Sequence, residues 1–157
     1  MNRKVWRHVP KGAEPLHVGY ILKASGRWNR GGEYGCLYTS FSKSGARSEY
    51  RKLMERTGTG GVLAPRDLVS IRVGLARVAD LTDPASSPVS PASEFLIGDD
   101  DAGLEQCRLL ADYLRGQGYG GLIVPSAAEA GTKNLVIYID GPAGEVELRD
   151  GGDREPI

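Results

Sequence analysis

Apolar residues recur along this chain with two different spacings, which together predict a mixture of strands and helices. Short runs in which apolar residues alternate or cluster predict strands. These runs lie at residues 4–8, 36–41, within 68–81, 122–124, 135–139 and 146–148, the last as an edge strand. The Pro- and Ser-rich segment 83–93 has no periodicity and predicts a loop.

Two longer segments have the spacing of amphipathic helices. In the first, Ser42 is placed as an N-cap, and apolar side chains then recur at helical spacing as far as residue 56: Ala46, Tyr50, Leu53 and Met54. The second follows the acidic run 99–101 and carries one apolar stripe: Leu104, Cys107, Leu110, Ala111 and Leu114. Glycine-rich segments at 58–61 and 116–121 are expected to end the two helices.

The order of these elements predicts the fold class. It lacks the regular strand–helix–strand alternation of a parallel sheet, so we expect an α+β fold with a mixed sheet and flanking helices. A chain of 157 residues suits one domain, which at this size buries about 70% of its unfolded surface. We expect this domain to span residues 1–150 and residues 151–157 to form a C-terminal tail.

Charge and composition argue against several classes of function. The 20 basic and 20 acidic residues cancel, so no overall charge favours nucleic acid or an anionic membrane surface. A net charge of zero does not exclude a local basic pocket. No apolar run has the length of a membrane span, and the N-terminus lacks a signal core, so we expect a cytoplasmic protein. Cys36 and Cys107 lie in apolar runs and are expected to be reduced packing residues.

Common catalytic motifs are missing from the sequence. It contains no Walker loop and no HExxH, CxxC or GxSxG motif, and no residues at metal-ligand spacing. The segment GQGYGG at 116–121 matches GxGxxG, but it follows a predicted helix and precedes a strand. A dinucleotide-binding fingerprint has the reverse order, so this segment is interpreted as a helix C-cap and turn.

The stretch GRWNRGGEYGCLYTS at 26–40 contains the first candidate for chemistry. Arg27 lies among glycines, which let backbone approach a ligand, and its guanidinium suits a phosphate or carboxylate. The alternative is a surface arginine whose stem lies on Trp28. In the following helix, Glu49 lies at the margin of the apolar stripe. Burying a carboxylate there is costly unless it pairs with a cation or has a functional role. Pairing with a neighbouring arginine and simple solvation are the alternatives for Glu49.

Three further polar positions adjoin predicted strands. Tyr38 and Ser40 would share one face of their strand, where most tyrosines are packing residues. Ser126 follows a buried strand, and because no base lies near it in sequence, hydrogen bonding is favoured over nucleophilic attack. The missing elbow glycines also disfavour a serine hydrolase. Asn134 precedes the next strand, where a simple turn role is the alternative.

Five pieces of the sequence, in order, resemble the RES family, which is named after an arginine, a glutamate and a serine. The pieces are GRWN at 26–29, LYTS at 37–40, ARSE at 46–49, GGLIVPSAA at 120–128 and NLVIY at 134–138. The sequence departs from the family pattern after GRWN, where Arg30 and two glycines replace a proline or serine and one glycine. The resemblance implies an ADP-ribosyltransferase-like α+β fold that binds NAD.

The resemblance also assigns the site. It places the arginine of the family at Arg27, the glutamate at Glu49, the serine at Ser126 and the active-site tyrosine at Tyr38. Further substrate contacts are expected from residues in the same matching pieces: Trp28, Ser40 and Asn134.

What the family does implies a toxin-type enzyme that cleaves the nicotinamide–ribose bond of NAD. NAD is then a substrate and not a prosthetic group, and the acceptor is water or inorganic phosphate. An ADP-ribosyltransferase that modifies a protein, and an inactive module that binds NAD or an antitoxin, are the alternatives. The implied partner is an Xre-type helix-turn-helix antitoxin that blocks the pocket. A homodimer is left open, and no direct contact with nucleic acid or membrane is expected.

Overall fold

The computed structural model describes residues 1–19, 23–57, 65–139 and 146–157 of the chain. The strands in these ranges are β1 (Asn2–Pro10), β2 (Cys36–Ser40), β3 (Arg66–Leu75), β4 (Val78–Asp80), β5 (Gly121–Pro125), β6 (Lys133–Tyr138) and β7 (Val146–Pro156). The helices are α1 (Lys43–Thr57) and α2 (Asp101–Gly116), with a short 3₁₀ turn at Glu94–Leu96. The segment 58–61, expected to end the first helix, lies outside the described residues.

The described strands form one sheet in the order β4-β5-β6-β2-β1-β3-β7. Neighbouring strands pair antiparallel except β4 and β5, which pair in parallel. A mixed seven-stranded sheet with two helices confirms the expected α+β fold. No helix in the described ranges is long and apolar enough to cross a membrane.

Because side chains alternate along a strand, the apolar residues divide between the two faces of the sheet. The face that carries α2 buries a cluster from β2, β5, β6 and that helix: Cys36, Leu122, Val124, Val136, Tyr138, Cys107, Ala111 and Leu114. The opposite face buries a second cluster from β1, β2, β3 and β6: Val5, Leu37, Ile71, Val73, Leu75, Leu135 and Ile137. Both cysteines are buried and neither forms a disulfide, as the sequence predicts.

Both helices begin, and α2 also ends, with the local signals that the sequence contains. The hydroxyl of Ser42 accepts a hydrogen bond from the Gly45 amide at 3.0 Å, which confirms the N-cap of α1. The carboxylate of Asp100 caps α2 in the same way, from the Gly103 amide. After α2, Gly118 has φ +90° and its amide donates to an α2 carbonyl, which confirms that GQGYGG is a helix C-cap and turn.

The predicted C-terminal tail is wrong for residues 151–156, which belong to strand β7. Leu68 pairs with Glu155 and Val69 with Arg154, so the end of the chain completes the edge of the sheet beside β3. The segment carries mainly charged residues and glycines because an edge strand is solvated along its length. Apolar periodicity therefore gives no sign of it.

One further expectation is corrected by the packing. Alternating apolar residues within 68–81 predict a half-buried strand, but the run divides into β3 and β4. Strand β3 is mostly buried because it lies between β1 and β7, and even Ser70 is fully inaccessible. Segment 83–93 contains no helix or strand, which confirms the predicted loop. It is held by hydrogen bonds from the Ser86 and Ser87 amides to the Asp83 carbonyl, and Val89 packs against the core.

Deleting residues 151–157 should destabilise the protein substantially. The deletion removes the pairing of β7 with residues 67–69 and the ion pairs of Asp153 with Lys4 and of Arg154 with Asp67. At about 1 kcal/mol per hydrogen bond lost, we expect the free energy of unfolding to fall by about 3 kcal/mol or more. Urea denaturation measures this change.

The matched control is deletion of Ile157 alone, which lies beyond β7 and should cost far less. Equal stability of the longer deletion and the full chain would show that residues 151–157 do act as a dispensable tail.

Candidate active site

A pocket of about 270 Å³ opens between the sheet and the two helices. Its walls come from segment 25–28, from strands β1, β2, β5 and β6, and from both helices. The lining includes most of the residues that the sequence predicts for the site: Arg27, Trp28, Tyr38, Ser40, Glu49 and Asn134. Ser126 is 4% exposed and lies behind the wall, next to the lining residues Pro125 and Ala127. Loop 83–93 contributes no residue to the lining.

Asn29 organises the loop that carries Arg27. It is 2% exposed, and its side-chain oxygen accepts hydrogen bonds from the Gly26 amide at 2.9 Å and from the Tyr38 hydroxyl at 2.8 Å. Its side-chain nitrogen donates to the carbonyls of Ala24 at 2.8 Å and Tyr34 at 3.4 Å. One buried amide thus fixes both ends of the turn, and its full set of partners compensates for its burial.

Tyr38 joins this loop to strand β2. Its hydroxyl accepts from the Trp28 amide at 2.9 Å while it donates to Asn29. A Cβ added at Gly26 would lie 2.2 Å from this hydroxyl, so only glycine allows the approach. The residue is still 42% exposed, because its ring lines the pocket. Desolvation of the hydroxyl raises its pKa well above the ordinary value, so Tyr38 is neutral at physiological pH.

Glu49 is held by two neutral donors. Its Oε1 accepts hydrogen bonds from the Asn134 amide nitrogen at 2.7 Å and from the Ser126 hydroxyl at 3.1 Å. Ser40 in turn donates to the Asn134 side-chain oxygen at 2.9 Å. Among the described residues Glu49 has no arginine partner, so the expected alternative of an ion pair is not what positions it. No hydrogen bond from the described residues reaches Oε2, and this oxygen is available to a ligand.

The geometry of Ser126 identifies it as a positioning residue. Its hydroxyl donates to Glu49 and accepts from the amides of Ala128 at 3.1 Å and Glu129 at 3.0 Å. Its proton is therefore committed to Glu49 and both lone pairs to the two amides, so no lone pair is left for attack on a substrate. The structure agrees with the sequence-based preference for hydrogen bonding over nucleophilic attack.

Arg27 and Trp28 occupy different environments although they are adjacent. The Arg27 side chain is 12% exposed, donates to the Gly98 carbonyl and pairs with the Asp99 carboxylate at 2.7 Å. Trp28 is 2% exposed and packs in the core on the α2 face. Its carbonyl accepts from the Tyr138 hydroxyl at 3.0 Å. Trp28 thus anchors the loop, and Arg27 lines the pocket.

The pocket is strongly basic although the chain is neutral overall. Among the described residues, its lining contains five basic side chains against the single carboxylate of Glu49: Arg7, Arg27, Lys52, Arg56 and Arg108. Such a cluster inside a concave wall concentrates positive potential and favours an anionic ligand. No group of three or more His, Cys, Asp or Glu residues in the described part of the chain could hold a metal ion.

His8 is a pocket residue that sequence reasoning missed. Arg66 donates to its Nδ1 at 2.7 Å, which fixes the neutral tautomer with the proton on Nε2. Burial first, then the nearby charges of Arg66 and Arg7, lower the pKa of His8 to about 4. The ring packs edge-on against Tyr50 of α1, with centroids 5.5 Å apart. A lone histidine in a predicted strand gave no signal of this contact.

Lys52, Asn29 and Arg108 were also missed as parts of the site. Lys52 lies three residues after Glu49, a spacing that puts two side chains on the same helix face, and this was the available signal. Arg108 of α2 donates through Nε to the Gly26 carbonyl at 2.9 Å. That contact joins segments 82 residues apart, so no local pattern predicts it.

Replacing Asn29 with alanine should destabilise the protein by about 2–4 kcal/mol, because several buried partners lose their hydrogen bonds together. Asn2→Ala is the matched control, since Asn2 is exposed, and it should change stability by less than about 0.5 kcal/mol. Chemical denaturation measures both variants. Equal stability of the two would refute the central role of Asn29 in the loop.

Stability should depend on the protonation of His8. Between pH 6.5 and about 4 the unfolded chain binds a proton at this site that the folded chain does not. The free energy of unfolding should therefore fall as the pH drops through this window, by at most about 3 kcal/mol from this group. His8→Gln should lose that part of the slope, whereas His17→Gln should keep it. Denaturation series at several pH values test this, and identical slopes for all three proteins would contradict it.

Comparison with known proteins places the chain in a family. A model of the RES domain matches residues 4–155. Among solved structures, the chain is similar to a chain of the crystal structure of the M. tuberculosis MbcT–MbcA toxin–antitoxin complex, with a TM-score of 0.76 and 20% sequence identity. The match covers 100% of this chain and 85% of that chain, and at this identity it shows the fold alone. Among curated proteins there is no significant match. Since the family model spans nearly the whole chain, the protein belongs to the RES domain family.

Proposed function

We propose that this protein is a toxin-type enzyme that binds NAD in the pocket and cleaves its nicotinamide–ribose bond. The observation that carries the proposal is the state of Glu49, whose Oε1 is fixed by Ser126 and Asn134 while Oε2 has no partner among the described residues. A carboxylate oriented in this way inside a basic pocket suits a substrate that is anionic at its phosphates and develops positive charge at its ribose.

The bond that breaks joins the ribose C1′ to the nicotinamide nitrogen. The bonding electron pair leaves with that nitrogen, so nicotinamide departs neutral and the ribose becomes oxocarbenium-like. The carboxylate of Glu49 stabilises this positive charge and accepts hydrogen bonds from ribose hydroxyls. Because Ser126 and Asn134 already hold the carboxylate, little reorganisation is needed when the charge develops.

Two other pocket residues suit the remaining parts of the substrate. The Tyr38 ring is exposed to the pocket and can lie against the cationic nicotinamide ring before cleavage. Its hydroxyl is already committed to Trp28 and Asn29, so the ring plane is fixed. Arg27 supplies a planar guanidinium for the pyrophosphate oxygens.

The acceptor completes the reaction. With water, a water oxygen bonds to C1′ and a proton is released, giving ADP-ribose. With inorganic phosphate, a phosphate oxygen bonds to C1′ and gives phosphorylated ADP-ribose. With a protein nucleophile, the enzyme would instead be an ADP-ribosyltransferase.

The proposal extends to a partner and a compartment. One similar solved structure is a toxin–antitoxin complex, which supports an antitoxin for this chain as well. We propose an Xre-type helix-turn-helix antitoxin that covers the pocket and keeps NAD out. An enzyme that depletes cellular NAD would act in the cytoplasm.

The first test is mass spectrometry of NAD incubated with the purified protein, with and without phosphate. We expect free nicotinamide to form, and Glu49→Gln should slow its release by about 100-fold or more, because the variant loses the charge that opposes the oxocarbenium. Glu55→Gln is the matched control, since Glu55 is an exposed carboxylate on the same helix and should leave the rate unchanged.

The products distinguish the alternatives. ADP-ribose identifies water as the acceptor, phosphorylated ADP-ribose identifies phosphate, and label transferred from NAD to a protein identifies a transferase. Saturable NAD binding without any product would show a binding module and contradict the enzymatic proposal.

A further inference from the structure

One carboxylate outside the pocket lining bridges two cations inside it. Asp99, which precedes α2, contacts Arg27 at 2.7 Å and Lys52 of α1 at 3.0 Å. The Asp99 side chain is 56% exposed, whereas those of Arg27 and Lys52 are 12% and 22% exposed. The two cations are therefore embedded in the wall, while their common anion faces solvent.

Both cations are anchored independently of Asp99. Arg27 donates through Nη1 to the carbonyls of Gly98 and Phe95, and only its Nη2 contacts the Asp99 carboxylate. Lys52 also donates to the Ala127 carbonyl at 3.2 Å. If the Asp99 carboxylate moved away, each cation would keep a backbone partner and stay in place. Two fixed cations that converge on one anion form a preorganised anion site.

The Asp99 carboxylate is held there in its charged form. Partial desolvation works against ionisation, but the hydrogen bonds and charges of Lys52 and Arg27 outweigh it and lower the pKa of Asp99. Because an exposed ion pair contributes little net stability, a more highly charged anion can displace the Asp99 carboxylate from the two cations. A phosphate group carries oxygens that both cations can bind at once.

We propose that Arg27 and Lys52 form the subsite for the pyrophosphate of the substrate and that Asp99 occupies this subsite in the free protein until the substrate displaces it. The inference rests on the proposed function and adds two residues to it. Lys52 becomes a substrate-binding residue on the same helix face as Glu49. Asp99 becomes a built-in competitor that lowers the affinity of the subsite for the substrate.

A purely structural role for Asp99 predicts the opposite effect of its removal. If Asp99 only orients Arg27, its neutralisation weakens binding of the anion. If Asp99 competes for the subsite, its neutralisation tightens that binding. The sign of the change therefore separates the two roles.

The test is calorimetric titration with inorganic pyrophosphate and with ADP-ribose, neither of which requires cleavage of NAD. We expect Asp99→Asn to tighten binding of both probes by about fivefold, the size of one exposed ion pair, and Lys52→Met to weaken it by about tenfold. Asp101→Asn is the matched control, because it removes the same charge two residues away, and it should have a much smaller effect. Thermal unfolding of each variant checks that the fold is intact.

Each outcome bears on the inference separately from the proposed activity. Weaker or unchanged binding by Asp99→Asn, or an equal gain from Asp101→Asn, would overturn the competitor role. Absence of pyrophosphate and ADP-ribose binding by the unmodified protein would overturn the subsite. Binding with the expected pattern, but no cleavage of NAD, would support the subsite while refuting the enzymatic proposal. If NAD is cleaved, Asp99→Asn should lower KM and leave kcat within about twofold.

Discussion

The register between strands β2 and β6 is the constraint on which the site depends. Ser40 lies opposite Asn134 in this antiparallel pair, although 94 residues separate them in sequence. The pairing places the Asn134 amide beside α1, where it reaches the carboxylate of Glu49. A shift of one residue would turn Tyr38 and Ser40 to the opposite face and Leu37 into the pocket. Burial of Leu37, Leu135 and Ile137 in one cluster opposes that shift.

The loop before β2 is fixed to the sheet by buried polar groups and not by regular structure. Asn29 and Tyr38 satisfy the amides of Gly26 and Trp28, and Tyr138 holds the Trp28 carbonyl from below. An irregular segment can be rigid when its backbone groups find such partners. The position of Arg27 is therefore fixed as firmly as that of a residue on a strand, although Arg27 lies in a loop.

The electrostatic character of the pocket arises from how charges are sorted in space. The chain has equal numbers of acidic and basic residues, yet basic side chains predominate in the pocket lining. The acidic partner of Arg27 and Lys52 is Asp99, which lies outside the lining. Net charge therefore carried no information about the site. It neither predicted nor excluded a local basic pocket.

The sequence by itself determined the elements that carry local signals. Ser42, the apolar stripe of α2 and the glycines after it define the two helices, and apolar runs define β2, β5 and β6. The resemblance to the RES family also selected residues that the fold then gathered around one pocket. The helix and strand predictions succeeded because caps and hydrophobic periodicity act over a few residues.

Only the tertiary structure decided the remaining features. The part of strand β7 beyond residue 148 is stabilised by pairing with β3 and by cross-strand charges, which leave no apolar pattern. Ser126 donates to Glu49, and Arg66 donates to His8 and fixes its tautomer. Asp99 pairs with Arg27 and Lys52. Each of these contacts joins residues that are far apart in the chain. Polar contacts of this kind depend on the distance between atoms after folding, and a charged residue in sequence looks the same whether it is solvated or paired.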